Sequence, residues 1–166
     1  MSFNPFTQQG NLNRLYTNVI VPNFPALNVT APYMGKGQAH LTFDGNFNNQ
    51  IPTATSIVNA PEPYIMAHIS VNLLRSQPLA NLWLAQVQSQ TIIGPVTIYS
   101  DSTAFAAITL LQCSIMGFDP GAYDGSDPVL RVTITGQYPI NNSMWSGAAS
   151  GALGSVGGLG SINGLV

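Results

Sequence analysis

Residues 129–140, VLRVTITGQYPI, alternate cleanly. Val129, Arg131, Thr133, Thr135 and Gln137 fall on one side, and Leu130, Val132, Ile134, Gly136 and Tyr138 on the other. A period of two marks a strand with one buried face. The same logic predicts strands in QAHLTFDG (38–45), which ends on an Asp44-Gly45 turn signal, and in YIMAHISVNLLR (64–75). TIIGPVTIYS (91–100) returns to period two after a Gly-Pro bend, and FAAITLLQCSIMGF (105–118) is long enough to need a bulge or bend. The period changes in SQPLANLWLAQVQSQ (76–90), where Leu79, Leu82, Trp83 and Val87 share one helical face. Ser76 is the expected N-cap, and Pro78 is tolerated in the first turn.

Between these elements lie polar, turn-rich stretches. NFNNQIPTATSIVNAPEP (46–63) is a long, Pro-punctuated loop, and loops of that length are usually functional or contact elements. DPGAYDGSDP (119–128) is a turn cluster. The sum is five or six strands with one helix inserted after the third or so. That predicts an α+β, mainly β fold: a small β-barrel or sandwich with one flanking helix (about 76–90) and extended N- and C-terminal arms. Residues 1–37 are expected as an N-terminal arm and loops with one edge strand around Val19–Val21, 38–141 as the β domain, and 142–166 as a Gly/Ser/Ala-rich C-terminal arm.

Composition changes the picture in one respect. Charged residues make up 6% of the 166, against roughly 25% in an ordinary soluble domain. So little charge disperses a monomer poorly, and some surface is expected to be covered by copies of the chain, a partner or lipid. Lipid is the weakest of these. A spanning helix needs about 20 predominantly apolar residues, and stretches such as AFAAITLL (104–111) are shorter. The final SGAASGALGSVGGLGSINGLV is too Gly-rich for a good helix and has no flanking Lys or Arg. No membrane anchor is expected. MSFNPFTQQGN lacks the basic and apolar regions of a signal peptide, so the chain is expected to remain in the cytoplasm where it is made. Net charge is −2 with four basic residues, too few for a nucleic-acid-binding stripe.

Candidate chemistry is sparse. His40 and His68 sit alone in strands, and Cys113 lies in an apolar strand with no basic neighbour to lower its pKa. Asp119, Asp124 and Asp127 come close together, but position 130, where an EF-hand needs Glu, is Leu; turn formation is the reading for all three. Gly158 and Gly160 begin a dinucleotide fingerprint that breaks at Asn163. No enzyme, cofactor or metal site is expected, and function falls to the surface. In the tail, Leu153, Val156, Leu159, Ile162 and Leu165 recur every three residues among small ones, as anchors of an arm laid along neighbouring subunits.

The order of segments from QAHLTFDGNF (38–47) through ISVNLLRSQPLANLW (69–83) and GPVTIYSDS (94–102) to DGSDPVLRVTITGQY (124–138) resembles tail tube proteins of contractile-tailed bacteriophages and the related tailocin and type VI secretion tubes. The resemblance covers most of the domain. It implies a virion structural protein, made in the bacterial host cytoplasm and built into the phage tail. Self-assembly would give homohexameric rings stacked into a tube, with strands lining a channel that conducts DNA during ejection without specific binding. Sheath, tape-measure and baseplate proteins would be its other partners. By analogy 46–63 would be a ring-to-ring loop, so Phe47, Ile51, Ile57 and Val58 join the five tail residues as expected interface. Such lumens are often acidic, whereas this chain has six acids; a wall of Gln, Ser, Thr and Asn, with few or no Lys and Arg, is expected instead. Another virion component (a head-tail joining, baseplate or capsid-decorating protein) shares the low charge and arms. A small-ligand barrel would need a convergent polar pocket that the sequence does not offer.

Overall fold

The computed structural model describes residues 15–144. Its centre is a pair of eleven-residue antiparallel strands, β5 (Tyr64–Leu74) and β8 (Val129–Pro139), matched without interruption from Tyr64 opposite Pro139 to Leu74 opposite Val129. Alternation decides what each strand buries. Ile65, Ala67, Ile69, Val71 and Leu73 of β5 point inward, as do Leu130, Val132 and Ile134 of β8. β2 (Met34–Asp44) flanks β5, and β7 (Ile108–Asp119) flanks β8. β6 (Ile92–Ser100) and β1 (Thr17–Ile20) complete a six-stranded sheet in the order β1-β6-β7-β8-β5-β2. All pairings are antiparallel, and the sheet curls into a nearly closed barrel around one apolar core.

Curling needs bulges. In β7, Gln112 takes a left-handed φ of 51°, which lets Leu110 and Cys113 both face inward although they are three residues apart. Gly136 of β8 packs beneath them. A Cβ there would lie 2.5 Å from Cys113 Sγ and 3.0 Å from the carbonyl oxygen of Leu111, so only glycine fits. In β6 the Gly-Pro bend is a second bulge: Gly94 has φ of 78°, and Ile93 and Val96 are both buried on either side of it.

The barrel closes between β1 and β2 by a side chain. Gly37 and Gln38 form a bulge in β2 with φ of 87° and 42°. This turns the Gln38 amide toward the neighbouring strand. Its Oε1 accepts the Thr17 backbone N–H at 2.6 Å, and its Nε2 donates to the Leu15 carbonyl at 3.0 Å. One amide side chain thus stands in for a rung of the ladder. On the same edge of β1, Val19 exchanges two backbone hydrogen bonds of 2.8 Å with Val29.

The helix α1 (Pro78–Ser89) follows the fifth strand in chain order, later than expected. Gln77, not Ser76, is its N-cap, and no side chain caps it; Pro78 at the first position lacks one of the orphan donors, and the Ala80 N–H bonds the Gln77 carbonyl at 3.2 Å. Leu79, Ala80 and Trp83 are buried in the core. Leu82, expected on that face, is 47% exposed; the contact is narrower than the apolar stripe. Trp83 is fully buried, yet its indole N–H has no partner among the described residues.

Two further readings change. Residues 17–37, expected as arm and loops, are part of the body: Val19, Val21, Leu27, Val29 and Met34 are core residues, and the compact domain begins by Thr17 rather than near Gln38. The edge strand expected around Val19–Val21 is β1, but the single apolar residues that follow it gave no period to read. The 46–63 loop is a β-ribbon, β3 (Asn48–Pro52) paired with β4 (Ile57–Pro61), so the described strands number eight. Its Asn- and Pro-rich composition disguises strands that bury nothing.

Two stability effects follow. Gln38→Ala removes both seam bonds and should lower the unfolding free energy by about 1–3 kcal/mol in urea titration. Gln38→Gly should lose less, because it also removes about 1 kcal/mol of left-handed strain. Gly136→Ala should cost about 1–3 kcal/mol by overpacking against Cys113; an unchanged urea midpoint would show that β7 can yield at its bulge.

Candidate functional site

The β3–β4 ribbon leaves the barrel at the end of β2 and returns into β5. Its root is fixed by Asn141, whose Nδ2 donates to the carbonyls of Phe47 at 3.1 Å and Glu62 at 2.8 Å. The Phe43 ring meets Phe47 edge-on and Tyr138 at a tilt, each with centroids 5.5 Å apart. The tip is held by Thr53, whose N–H and hydroxyl both donate to the Ser56 carbonyl. Between root and tip, Ile51 stands opposite Val58 on one face, and Pro52 opposite Ile57 on the other. Neither face is covered: Phe47 is 49% exposed, Ile51 and Val58 53% and Ile57 57%. The structure therefore brings together the four expected interface residues of this segment on one protruding ribbon. The other five, Leu153, Val156, Leu159, Ile162 and Leu165, lie outside the described residues.

The second surface is the outward face of β2, β5, β8 and β7. Register lines up Thr42, His68, Thr135 and Ser114 in one row, and His40, Ser70, Thr133 and Gly117 in the next. A third row holds Asp44, Met66, Gln137 and Leu111, and a fourth Asn72, Arg131 and Asp119. Hydroxyl and amide side chains are the commonest groups in these rows, though Thr135 among them is buried. Across these rows the lysine and arginine side chains reduce to Arg131, directly opposite Asp119. His68 shares a 2.7 Å hydrogen bond with the Thr135 hydroxyl and lies 3.7 Å from an Asp44 oxygen. Arg75 is occupied elsewhere. It donates to the carbonyls of Ala122 and Asp127, and its guanidinium sits 5.3 Å from the Tyr123 ring centre, pinning the loop between β7 and β8.

The third surface is the sheet edge. β2 is a terminal strand, and among the described residues no strand pairs with its outer side between Ala39 and Asp44. Beside that edge lies a mostly apolar hollow of about 260 Å³, lined by Leu15, Leu41, Ile98, Phe105, Ala106 and Ile108 among others.

The aspartates and the cysteine weighed for chemistry sit in structural surroundings. Asp119, Asp124 and Asp127 each accept the backbone N–H two residues ahead, at 2.9 to 3.1 Å, making three successive Asx turns. The Ser126 hydroxyl, then its N–H, hold the Asp124 carboxyl below the usual range. Cys113 is buried, and loss of solvent pushes its thiol up to about 11 despite a hydrogen bond from the Val96 backbone. Such a thiol is a poor nucleophile. Among the described residues no three His, Cys, Asp or Glu side chains gather to hold a metal ion, and no helix is long and apolar enough to cross a membrane. No protein-family model matches the chain, and no curated protein matches it.

The sequence did not reveal the free β2 edge or its hollow. An edge is a property of pairing, and no residue type in AHLTFD marks it.

The Cys113 thiol gives a pH test. An unfolded thiol ionises from about 9, while the folded one keeps its proton to about 11. The unfolded state therefore loses the proton first, and folding stability should fall as pH rises through that window. Urea titrations at pH 8 and 10.5 should show a larger loss for the native sequence than for Cys113→Ala; equal losses would mean that Cys113 is not the group responsible.

Proposed function

We propose that this chain is a structural subunit of a phage tail tube, forming stacked hexameric rings whose channel conducts DNA. The observation that carries the reading is the β3–β4 ribbon: a rigidly rooted protrusion whose apolar side chains stay half exposed in the single chain. Such a device gains nothing for a monomer and much for an assembly, since each aliphatic side chain covered contributes about 1.5–3 kcal/mol. The free β2 edge and the low charge support the same conclusion. Open edges invite pairing with another chain, and ring closure removes them.

The hydroxyl- and amide-rich sheet face is the natural channel wall. It offers phosphates few cations, so DNA can slide without being held. Sheath, tape-measure and baseplate proteins would meet the tube from outside, inside and end, and the protein would reside in the virion tail.

Negative-stain electron microscopy of the purified full chain, and of the chain lacking 146–166, tests this. Hollow tubes or six-fold rings are expected from the full chain, and their loss on truncation would make the tail an interface arm. Compact monomers in both samples, at high concentration, would overturn self-assembly. Rings that never stack would favour a head-tail joining or baseplate component instead.

A further inference from the structure

We propose that the β3–β4 ribbon of one copy docks on the β2 edge of a second copy and places Ile51 and Val58 in the hollow beside it. This rests on the self-assembly reading and specifies the contact that makes it. Four observations support it. The hollow is apolar, and at about 260 Å³ it is several times the ~30 Å³ of one water, room for a pair of branched side chains. Ile51 and Val58 are such a pair: directly opposite in register, on one face, and more than half exposed. The polar groups match as well. The outer side of β2 from Ala39 to Asp44 has backbone groups without a strand partner among the described residues, and so do both outer sides of the two-stranded ribbon. Pairing two such edges extends the sheet across the interface, and alternate side chains then fall to the hollow. Finally, charge is sparse at the contact: the residues lining the hollow are neutral, Asp44 is the last residue of the β2 edge, and Glu62 sits at the ribbon's root, away from Ile51 and Val58.

The ribbon does not reach this hollow in its own chain, because Asn141 fixes its root and its side chains stay exposed there. The contact is made in trans. Ribbon and hollow lie at the same end of the barrel: the ribbon follows Asp44, and the hollow is lined by Leu41, by the end of β6 and by the start of β7. Head-to-tail stacking would bring opposite ends together. The proposed contact joins copies side by side within a ring, where the resemblance implied a ring-to-ring role for 46–63. When each ribbon enters the hollow of a different neighbour the contact is heterologous and propagates around that ring, whereas reciprocal two-fold pairing would stop at dimers.

The test uses the full chain carrying both Ile51→Cys and Ala106→Cys, two exposed positions, oxidised under native conditions; the buried Cys113 stays out of the reaction. Non-reducing gels should show a ladder of cross-linked chains ending at the ring size seen by microscopy. A cross-link that stops at dimers would mean a reciprocal two-fold contact and would overturn the ring arrangement. Assemblies that form without any cross-link would overturn the docking site while leaving the self-assembly reading intact; a hollow filled by residues 1–14 or 145–166 gives this result. Absence of any assembly would sink both. As a second measure, Val58→Asp should raise the critical concentration for assembly about tenfold or more without shifting the urea midpoint of the monomer. A changed midpoint with unchanged assembly would count against the proposal.

Discussion

The unbroken register between β5 and β8 constrains everything else. Each of its residue pairs puts two side chains on the same face, so Ile69 with Ile134 and Val71 with Val132 face the core while His68 with Thr135 and Ser70 with Thr133 face out. A slip of one residue would exchange the two sets and bury hydroxyls against isoleucine. Neighbouring strands inherit the choice through their own pairing. Leu41 of β2 and Ile115 of β7 lie in the inward row set by Ile69 and Ile134. One pairing thus creates both an apolar interior and a hydroxyl-rich exterior.

Two kinds of irregularity turn that flat pattern into a barrel. The bulges at Gln112 and Gly94 bend β7 and β6 while keeping their apolar residues inward. The bulge at Gly37 and Gln38 does the reverse of hiding a side chain: it aims an amide into the plane of the sheet, where it hydrogen-bonds like a peptide group. Closure is local, however. Gln38 joins β2 to β1 near the middle of β2, and beyond it the strand edge from Ala39 to Asp44 has no strand partner among the described residues, with the apolar hollow beside it. The incomplete seam is the geometric source of the proposed docking site.

Low charge then acquires a physical role. A monomer with so few ionic groups resists association weakly. What little charge there is serves local ends: Arg75 ties the loop that follows β7, and the three aspartates shape that loop's turns. Lys36, Arg131, Asp44, Glu62 and Asp101 are also charged, and the rest of the described surface is mostly hydroxyl, amide or apolar. That combination is what the proposed assembly calls for, with edges and ribbon covered by other copies and one face left wet.

Much of the fold was legible from local pattern. The period of two in 64–75 and 129–140, the helical face of Leu79 and Trp83, the turn cluster at 119–128 and the need for a bend in 105–118 all rest on short-range chemistry, and the sequence alone determined them. The exposed apolar residues of 46–63 could also be picked out, because Ile and Val in an Asn/Pro-rich loop have no local partner. Tertiary structure decided the rest. Only long-range pairing makes Thr17–Ile20 a strand of the body, brings Gln38 to Leu15 and Thr17 across more than twenty residues, and turns a polar loop into a ribbon. Among the described residues, the free edge of β2 and the hollow beside it arise where the sheet stops short of closing on itself. Closure depends on the summed twist and bulges of six strands, a quantity that no single stretch of sequence encodes.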